Sequence, residues 1–271
     1  LQEVERQRPP TAAPRQGPAL DVPPLLEPSA APTAEFVVKR FTFEGNTKVR
    51  SSTLEAALAD YLNRPIQFKD LQEATNVVAD TYAKAGWLAR AFIPRQDITE
   101  GVVRIQVIEA VYGGSRIQGE FMHASSERIQ ATVDDQNVEG EVLSLTDVER
   151  GLLLADDLPG VSVVGSLVAG EQTRETDVLI NVEDTPWITG TVQVDNQGNK
   201  STGVGEISVN TAINGLTGHA DQFSVYGLYT EGLSFISASY SVPLSYRGLR
   251  LGASYSTLGY RIVDDDLAAV D

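Results

Sequence analysis

Residues 236–244 read Ile236-Ser237-Ala238-Ser239-Tyr240-Ser241-Val242-Pro243-Leu244. Apolar side chains alternate with serines, and a period of two sends successive side chains to opposite faces of an extended chain. The stretch predicts a β-strand with one greasy face and one hydroxyl-lined face. Four neighbours carry the same pattern. Ile188, Gly190, Val192 and Val194 oppose Thr189, Thr191, Gln193 and Asp195. Ile207, Val209, Thr211 and Ile213 oppose Glu206, Ser208 and Asn210. Phe223, Val225 and Tyr229 oppose Gln222, Ser224 and Thr230, while Leu249, Leu251, Ala253 and Tyr255 oppose Arg250, Ser254 and Ser256. The connections near 199–202, 214–221, 230–232 and 246–248 are mostly short, as antiparallel hairpins require.

A soluble sandwich alternates too, so the charges have to decide. From Pro186 to Ile262 the acids are Asp195, Glu206, Asp221 and Glu231, and the bases are Lys200, Arg247, Arg250 and Arg261. They cancel, and none falls on the apolar face. The net charge of −16 therefore resides in the preceding modules and in Asp264-Asp265-Asp266. An uncharged face suits lipid, where Arg or Lys at the midplane costs about 2–4 kcal/mol. Strands of about 9–11 residues match a tilted bilayer crossing. Trp187, Tyr229, Tyr246 and Tyr260 lie near strand ends, where an interfacial aromatic girdle would stand. The expected fold is thus the start of an antiparallel transmembrane β-barrel. Five strands cannot close a barrel, and unpaired strand edges in hydrocarbon cost several kcal/mol per group. The chain therefore reads as the front part of a longer protein. The alternative left open by alternation alone is a soluble binding protein ending in a β-sandwich.

Ahead of Pro186 the texture is different. Eight of the 13 prolines fall in the first 34 residues, which reads as an extended linker. Residues 36–43 predict a strand ending at the turn Gly45-Asn46. Ser52 and Glu55 form a candidate capping box before Leu54, Ala57, Leu58, Tyr61 and Leu62 at helical spacing, with Pro65 as the stop. A second helix is expected from about Lys69 to Ala85, with Leu71, Ala74, Val78, Tyr82 and Ala85 on one face and Gly86 as its end. Strands follow at 89–93 and 102–111; in the latter, Val103, Ile105, Val107 and Glu109 alternate with Val102, Arg104, Gln106 and Ile108. The order is β-α-α-β-β. It recurs more faintly, as a strand at 116–121, a helix at 125–134, a helix headed by a Thr146/Glu149 capping box and ended by Pro159-Gly160, and strands at 161–168 and 176–182. Each unit buries one sheet face under two helices, an α+β module. The expected divisions are a Pro-rich linker at 1–34, modules at 35–111 and 112–185, and five barrel strands at 186–271.

Composition narrows the chemistry. The chain has no Cys, which excludes disulfides, thiolate metal sites and a Cys nucleophile. Its acidity argues against nucleic acid, which needs a basic face. His123 lies near Ser125 and Ser126 without a nucleophile-elbow motif. The pairs Asp134-Asp135 and Asp156-Asp157 and the tail 264–266 lack calcium-loop spacing. Gly203-Val204-Gly205 precedes a strand and is no phosphate loop. No enzyme activity, metal or cofactor is expected. No run of 18 apolar residues occurs, and the chain opens on Leu1 with polar residues after it, so neither a transmembrane helix nor a signal peptide is read.

The residues resemble the outer-membrane translocators of two-partner secretion, the haemolysin-activator type within the Omp85 superfamily. In the first module the match runs through Phe43-Glu44-Gly45-Asn46-Thr47, Tyr82-Ala83-Lys84-Ala85-Gly86-Trp87 and Ile93-Pro94-Arg95-Gln96-Asp97-Ile98-Thr99-Glu100-Gly101. That module looks like the family's first POTRA (polypeptide-transport-associated) domain. The second resembles the second POTRA, most clearly at Leu158-Pro159-Gly160-Val161. Asp195-Asn196-Gln197-Gly198 with Thr202-Gly203, then Tyr240-Ser241-Val242-Pro243-Leu244 and Gly259-Tyr260-Arg261, resemble barrel strands of the family. Ala110, Ala169 and Arg174-Glu175 depart from its pattern, and its Arg-Gly-aromatic inward-folding loop belongs to later strands. The resemblance implies a 16-stranded barrel in outer-membrane lipid and two periplasmic POTRA domains. It also implies a secreted, unfolded, β-rich partner exoprotein of adhesin, haemolysin or contact-dependent toxin type. It implies further that the Pro-rich start joins a barrel-plugging helix to the first POTRA. Other Omp85 relatives, a barrel-assembly insertase or the translocator of a lipase autotransporter, are the alternatives. A βααββ sheet leaves its second strand at an edge, so Ala89, Arg90, Ala91, Phe92 and Ile93 are the expected client-binding residues, by β-augmentation beside the helix at 69–85.

Overall fold

The computed structural model describes residues 35–98 and 100–263; the linker at 1–34, Thr99 and the acidic tail at 264–271 lie outside it, with the sequence readings that fall on them.

In the first module β1 (Phe36–Val37) pairs with β3 (Pro65–Ile66), beside a three-stranded sheet of β2 (Arg40–Glu44), β4 (Ala89–Phe92) and β5 (Val102–Glu109). The sheet order is β2-β5-β4, with β2 parallel and β4 antiparallel to β5. Two helices cover one face, α1 (Ser51–Ala57) and α2 (Phe68–Lys84). The stripe Leu71, Ala74, Val78 and Tyr82 on α2 is buried against Val103, Ile105 and Val107 of β5. The period of two read in 102–109 is thus the period of burial. Near Ser52 the expectation fails. Helix α1 begins two residues earlier than a Ser52 cap would place it, Arg50 occupies the capping position without a side-chain cap, and Ser52 lies inside the first turn. Only seven residues are α-helical before a 3₁₀ turn, Ala59–Tyr61, carries the chain on. The entrance of α2 is secured instead by Asp70, whose carboxylate accepts from the Gln67 N–H at 2.6 Å.

The second module repeats the plan. It contains β6 (Val111–Gln118), α3 (Ser126–Asp134), α4 (Leu145–Asp156), β7 (Val161–Ala169) and β8 (Glu175–Asp184), in the sheet order β6-β8-β7. Val111 starts β6 rather than ending β5, so β6 begins five residues before the expected strand. Gly113 and Gly114 hid it, because the register shifts between Tyr112 and Gly114 and the alternation breaks there. Ser125 caps α3 by accepting from the Arg128 N–H at 3.2 Å. Helix α4 is capped two residues earlier than read, by Ser144 accepting from Asp147 N–H at 3.2 Å, and Thr146 is a helical residue. Gly165 lets α4 settle on the sheet, since a Cβ there would lie 2.3 Å from Leu152 Cδ1.

After Pro186 the chain is one antiparallel sheet of β9 (Ile188–Asp195), β10 (Glu206–Asn214), β11 (Gln222–Thr230), β12 (Leu233–Pro243) and β13 (Arg250–Tyr260), in sequential order. Register places Val192, Val209, Gly227, Ile236 and Thr257 in one row, and Gly190, Thr211, Val225, Ala238 and Tyr255 in the next row of that face. The opposite face carries Thr191, Asn210, Tyr226, Ser237 and Ser256. Val192, Val194, Ile236, Leu251 and Tyr255 are exposed on the first face. The hydroxyl-lined face is less uniform than the sequence suggested: Leu228, Phe235 and Leu258 share one of its rows, and the rings of Tyr226 and Phe235 lie 6.0 Å apart. The girdle also needs correction. Tyr260 falls on the inward register opposite Leu233, and Tyr246 sits beneath the Arg128 guanidinium of α3, 5.5 Å from its ring centre. Tyr229 alone of the three tyrosines keeps the outward register, and Trp187 stands exposed just before β9.

Candidate functional site

Strand β4 is an edge: it pairs with β5 on one side, and no described strand lies on the other. Leu88 accepts from the Ala110 N–H at 2.9 Å, so its main-chain groups face β5. By alternation Ala89, Ala91 and Ile93 turn theirs away from the sheet. A β-strand left in this state is a template for another extended chain.

A cleft of about 510 Å³ runs beside this edge. Ala79, Asp80 and Ala83 of α2 wall one side, Ala89 and Arg90 of β4 with Ile108 and Ala110 form the base, and residues 167–170 and 172–176 of the β7–β8 hairpin close the far side. Small side chains on α2 leave the floor open. Of the five expected residues, Ala89 and Arg90 line the cleft; Ala91 and Ile93 pack against the module core, with Ile93 just past the end of β4. Phe92 is 44% exposed, which no core role explains.

Three contacts position the edge. Glu109, at the end of β5, is 1% exposed and accepts from Thr47 N–H at 2.6 Å, Lys48 N–H at 2.7 Å, the Tyr82 hydroxyl at 2.8 Å and the Thr47 hydroxyl. Burial pushes its pKa up, but the Lys48 N–H, both Thr47 donors and the Tyr82 phenol outweigh it and hold the carboxyl below the ordinary glutamate value. Burial and the same hydrogen bond push the Tyr82 phenol up. Lys48, so fixed, lies 4.5 Å over the Trp87 ring at the root of β4.

The second contact is a wedge. Where β4 and β5 diverge, Leu143 donates to Ala110 O at 2.8 Å and accepts from Leu88 N–H at 3.3 Å, and Leu145 N–H donates to Gly86 O at 2.8 Å. Main chain of the second module thereby completes the first module's ladder. The third is Arg174, a non-glycine residue at φ +77°. Its carbonyl accepts from Val111 N–H at 2.9 Å and its guanidinium donates to Glu109 O at 3.2 Å. A strained backbone is thus kept where its side chain spans the two modules.

Within the second module, Asp184 accepts from Met122 N–H at 3.1 Å and pairs with His123 Nδ1 at 2.9 Å; these contacts outweigh its burial and hold its carboxyl below the ordinary aspartate value. The module also grips the sheet that follows. Arg247, in the β12–β13 turn, donates to Asp135 at 2.7 Å.

Two family models match this architecture. Residues 36–110 match the POTRA domain, ShlB-type, and residues 174–265 match the haemolysin secretion/activation protein ShlB/FhaC/HecB family. Over these two stretches the chain carries the features of the two-partner secretion proteins of the Omp85 superfamily. Curated relatives of this chain include the outer membrane transporter CdiB of Escherichia coli, 29% identical over 97% of this chain and 43% of the relative. The heme/hemopexin transporter protein HuxB of Haemophilus influenzae is 28% identical over 80% of this chain and 39% of its own. Among solved structures, CdiB from Escherichia coli superimposes with a TM-score of 0.62 at 26% identity, covering 86% of this chain and 44% of that one. The chain thus spans about four tenths of the length of the curated relatives it matches.

Glu109, Leu143 and Arg174 are the positioning residues that sequence reasoning missed. A carboxylate in phase with Val103, Ile105 and Val107 was the available signal for the first. For the other two, whose roles depend on a contact between modules, the sequence held none.

Proposed function

We propose that this chain forms the periplasmic and first membrane-embedded parts of an outer-membrane translocator that exports a β-rich partner exoprotein. Residues 35–111 and 112–185 serve as POTRA 1 and POTRA 2 in the periplasm. The five strands after Pro186 are barrel wall, with the row of Val192, Val209 and Ile236 toward lipid. β9 and β13 pair with further strands, because an open edge is not tolerated in hydrocarbon. The unfolded client adds a strand to β4, held by main-chain hydrogen bonds that are indifferent to sequence. No catalytic step is involved; the relatives are transporters.

The observation that carries this reading is the continuity of an uncharged, exposed sheet face with two α+β modules, the first of which leaves the outer edge of β4 without a described strand beside an apolar cleft. The test is secretion of the partner exoprotein by cells carrying Ala91→Pro in the full-length translocator. The substitution deletes one outward N–H of β4. Exoprotein in the medium should fall while the translocator stays in the outer membrane at normal abundance; unchanged client affinity and export would refute capture at this edge.

A further inference from the structure

We propose that the second module is clamped to the barrel wall by two of the wall's own turns, 214–221 and 244–249, and that Ala220 and Arg247 are the positioning residues of this clamp. Client held by the modules is thereby kept at a fixed place relative to the wall. The proposal rests on the translocator reading above and extends it to the joint between its two halves.

A module joined by a single link would swivel, since contacts between domains are ordinarily modest and polar. The link here is short, for β8 ends at Asp184 and β9 starts at Ile188. It is tied on both sides, Thr185 N–H donating to Gly160 O at 3.0 Å and Asn214 N–H to Trp187 O at 2.7 Å.

The first turn reaches further. Ala220 is fully buried and belongs to the hydrophobic cluster of the second module, with Ile129, Val148, Leu152 and Val161. A turn of the barrel wall therefore completes the core of a neighbouring module. Ala220 does so at φ +56°, a conformation alanine rarely adopts, so the surrounding structure holds it there. Asp221 shapes the turn. It is fully buried, its carboxylate accepts from Thr217 N–H at 2.9 Å and the Thr217 hydroxyl at 2.8 Å, and its carbonyl accepts from Gly215 N–H at 2.7 Å. Gly215 lies so close to the module that a Cβ there would stand 2.5 Å from His123 O.

The second turn lands on the helices. Arg247 donates to Asp135, just past the end of α3, at 2.7 Å, and Tyr246 lies under Arg128 of α3. A Cβ on Gly248 would lie 2.9 Å from Leu154 Cδ2 of α4. Charge favours the match. Residues 112–185 hold fifteen Asp and Glu against four Arg, and the turn that meets them brings Arg247 and, at the start of β13, Arg250, which interacts with Asp157 at the end of α4. Three attachments spread along the rim from β9 to β13 remove the swivel that one link would allow. Any shift of the module is then shared by the wall strands, and the coupling runs in both directions.

The test uses the full-length protein in bilayers, with any cysteine elsewhere replaced by serine. It carries a single cysteine at Ala220 or at Leu216, an exposed residue of the same turn. A water-soluble maleimide reaches a buried thiol only when the seat opens, so the rate at 220 reports the unseated fraction. Ala220→Cys should label far more slowly than Leu216→Cys. Arg247→Asp, in the other turn, exchanges an ion pair for a repulsion. It should speed labelling at 220 by about five- to tenfold, leave 216 unchanged and lower exoprotein release. Adding Asp135→Arg should restore both the slow labelling and the release. Hydrogen exchange at the Gly215 amide of the cysteine-free protein reads the same opening, should Ala220→Cys fold poorly. Equal rates at 216 and 220, or a rate at 220 that ignores Arg247→Asp, overturns the clamp. Faster labelling at 220 with undiminished release overturns the positioning role. If the unsubstituted protein exports nothing, the translocator reading falls, while the labelling rates still decide the clamp.

Discussion

Replacing Glu109 should loosen the first module more than any exposed substitution near the client edge. Its carboxylate accepts from four donors, and the phenol of Tyr82 is fully buried. Glu109→Ala strands that phenol and two loop amides. An orphaned buried donor costs about 1–3 kcal/mol, and the Thr47 and Lys48 amides recover part of theirs from water, so the loss is about 3–5 kcal/mol. For a domain of this size each kcal/mol is worth about 4–8 °C, which lowers the module's melting by about 12 °C or more. Glu109→Gln keeps the shape and loses the charge, costing about 1–2 kcal/mol. The pH dependence has a definite sign. The folded pKa of Glu109 lies below its unfolded value of about 4.3, so its stabilisation is complete above that pH and fades as pH falls through the depressed value. Glu109→Gln should flatten the acid limb of the stability profile. The assays are thermal melting across pH and hydrogen exchange at Thr47 and Lys48. If both variants melt within about 2 °C of the parent, with unchanged exchange at those amides, the carboxylate does not hold the loop.

Three further outcomes follow from the geometry. Val209→Arg places a charge on the outward face and should cost about 2–4 kcal/mol of insertion, measured by urea unfolding in bilayers, whereas Asn210→Arg on the opposite face should cost far less. Ser144→Ala should destabilise the second module by about 1 kcal/mol through loss of the α4 cap, while Thr146→Ala should stay within about 0.5 kcal/mol. Arg174→Gly relieves the positive φ and removes the guanidinium contact with Glu109 O, so spin-label distances between the modules should broaden with little change in melting.

The sheet after Pro186 was legible because each strand has one polar and one apolar face, and register then left little freedom. Helix α2 was legible because Leu71, Ala74, Val78 and Tyr82 repeat over three turns. What failed was local. Ser52-Glu55 and Thr146-Glu149 both satisfy the capping-box pattern, yet two nearby residues, Arg50 and Ser144, end up at the caps, since packing of Leu54 and Leu152 sets where each helix starts. The glycines of β6 erased its alternation. The edge at β4 followed from topology, and its first two residues reached the cleft. The far wall of that cleft could not be foreseen, because residues 167–176 arrive from about 80 positions downstream, placed there by contacts between modules such as the wedge at Leu143 and Arg174 against Glu109.

The most direct measurement uses the absence of cysteine from these 271 residues, with any cysteine elsewhere in the full-length protein replaced by serine. Single cysteines at Val209, Val225, Ile236 and Ala238, and at Asn210, Ser224, Ser237 and Ser239, are spin-labelled in the full-length protein in bilayers. Oxygen, which partitions into acyl chains, should relax the first set, and a water-soluble nickel chelate the second, with accessibility switching at every step along β10–β12. Equal chelate access on both faces would contradict a lipid-facing wall.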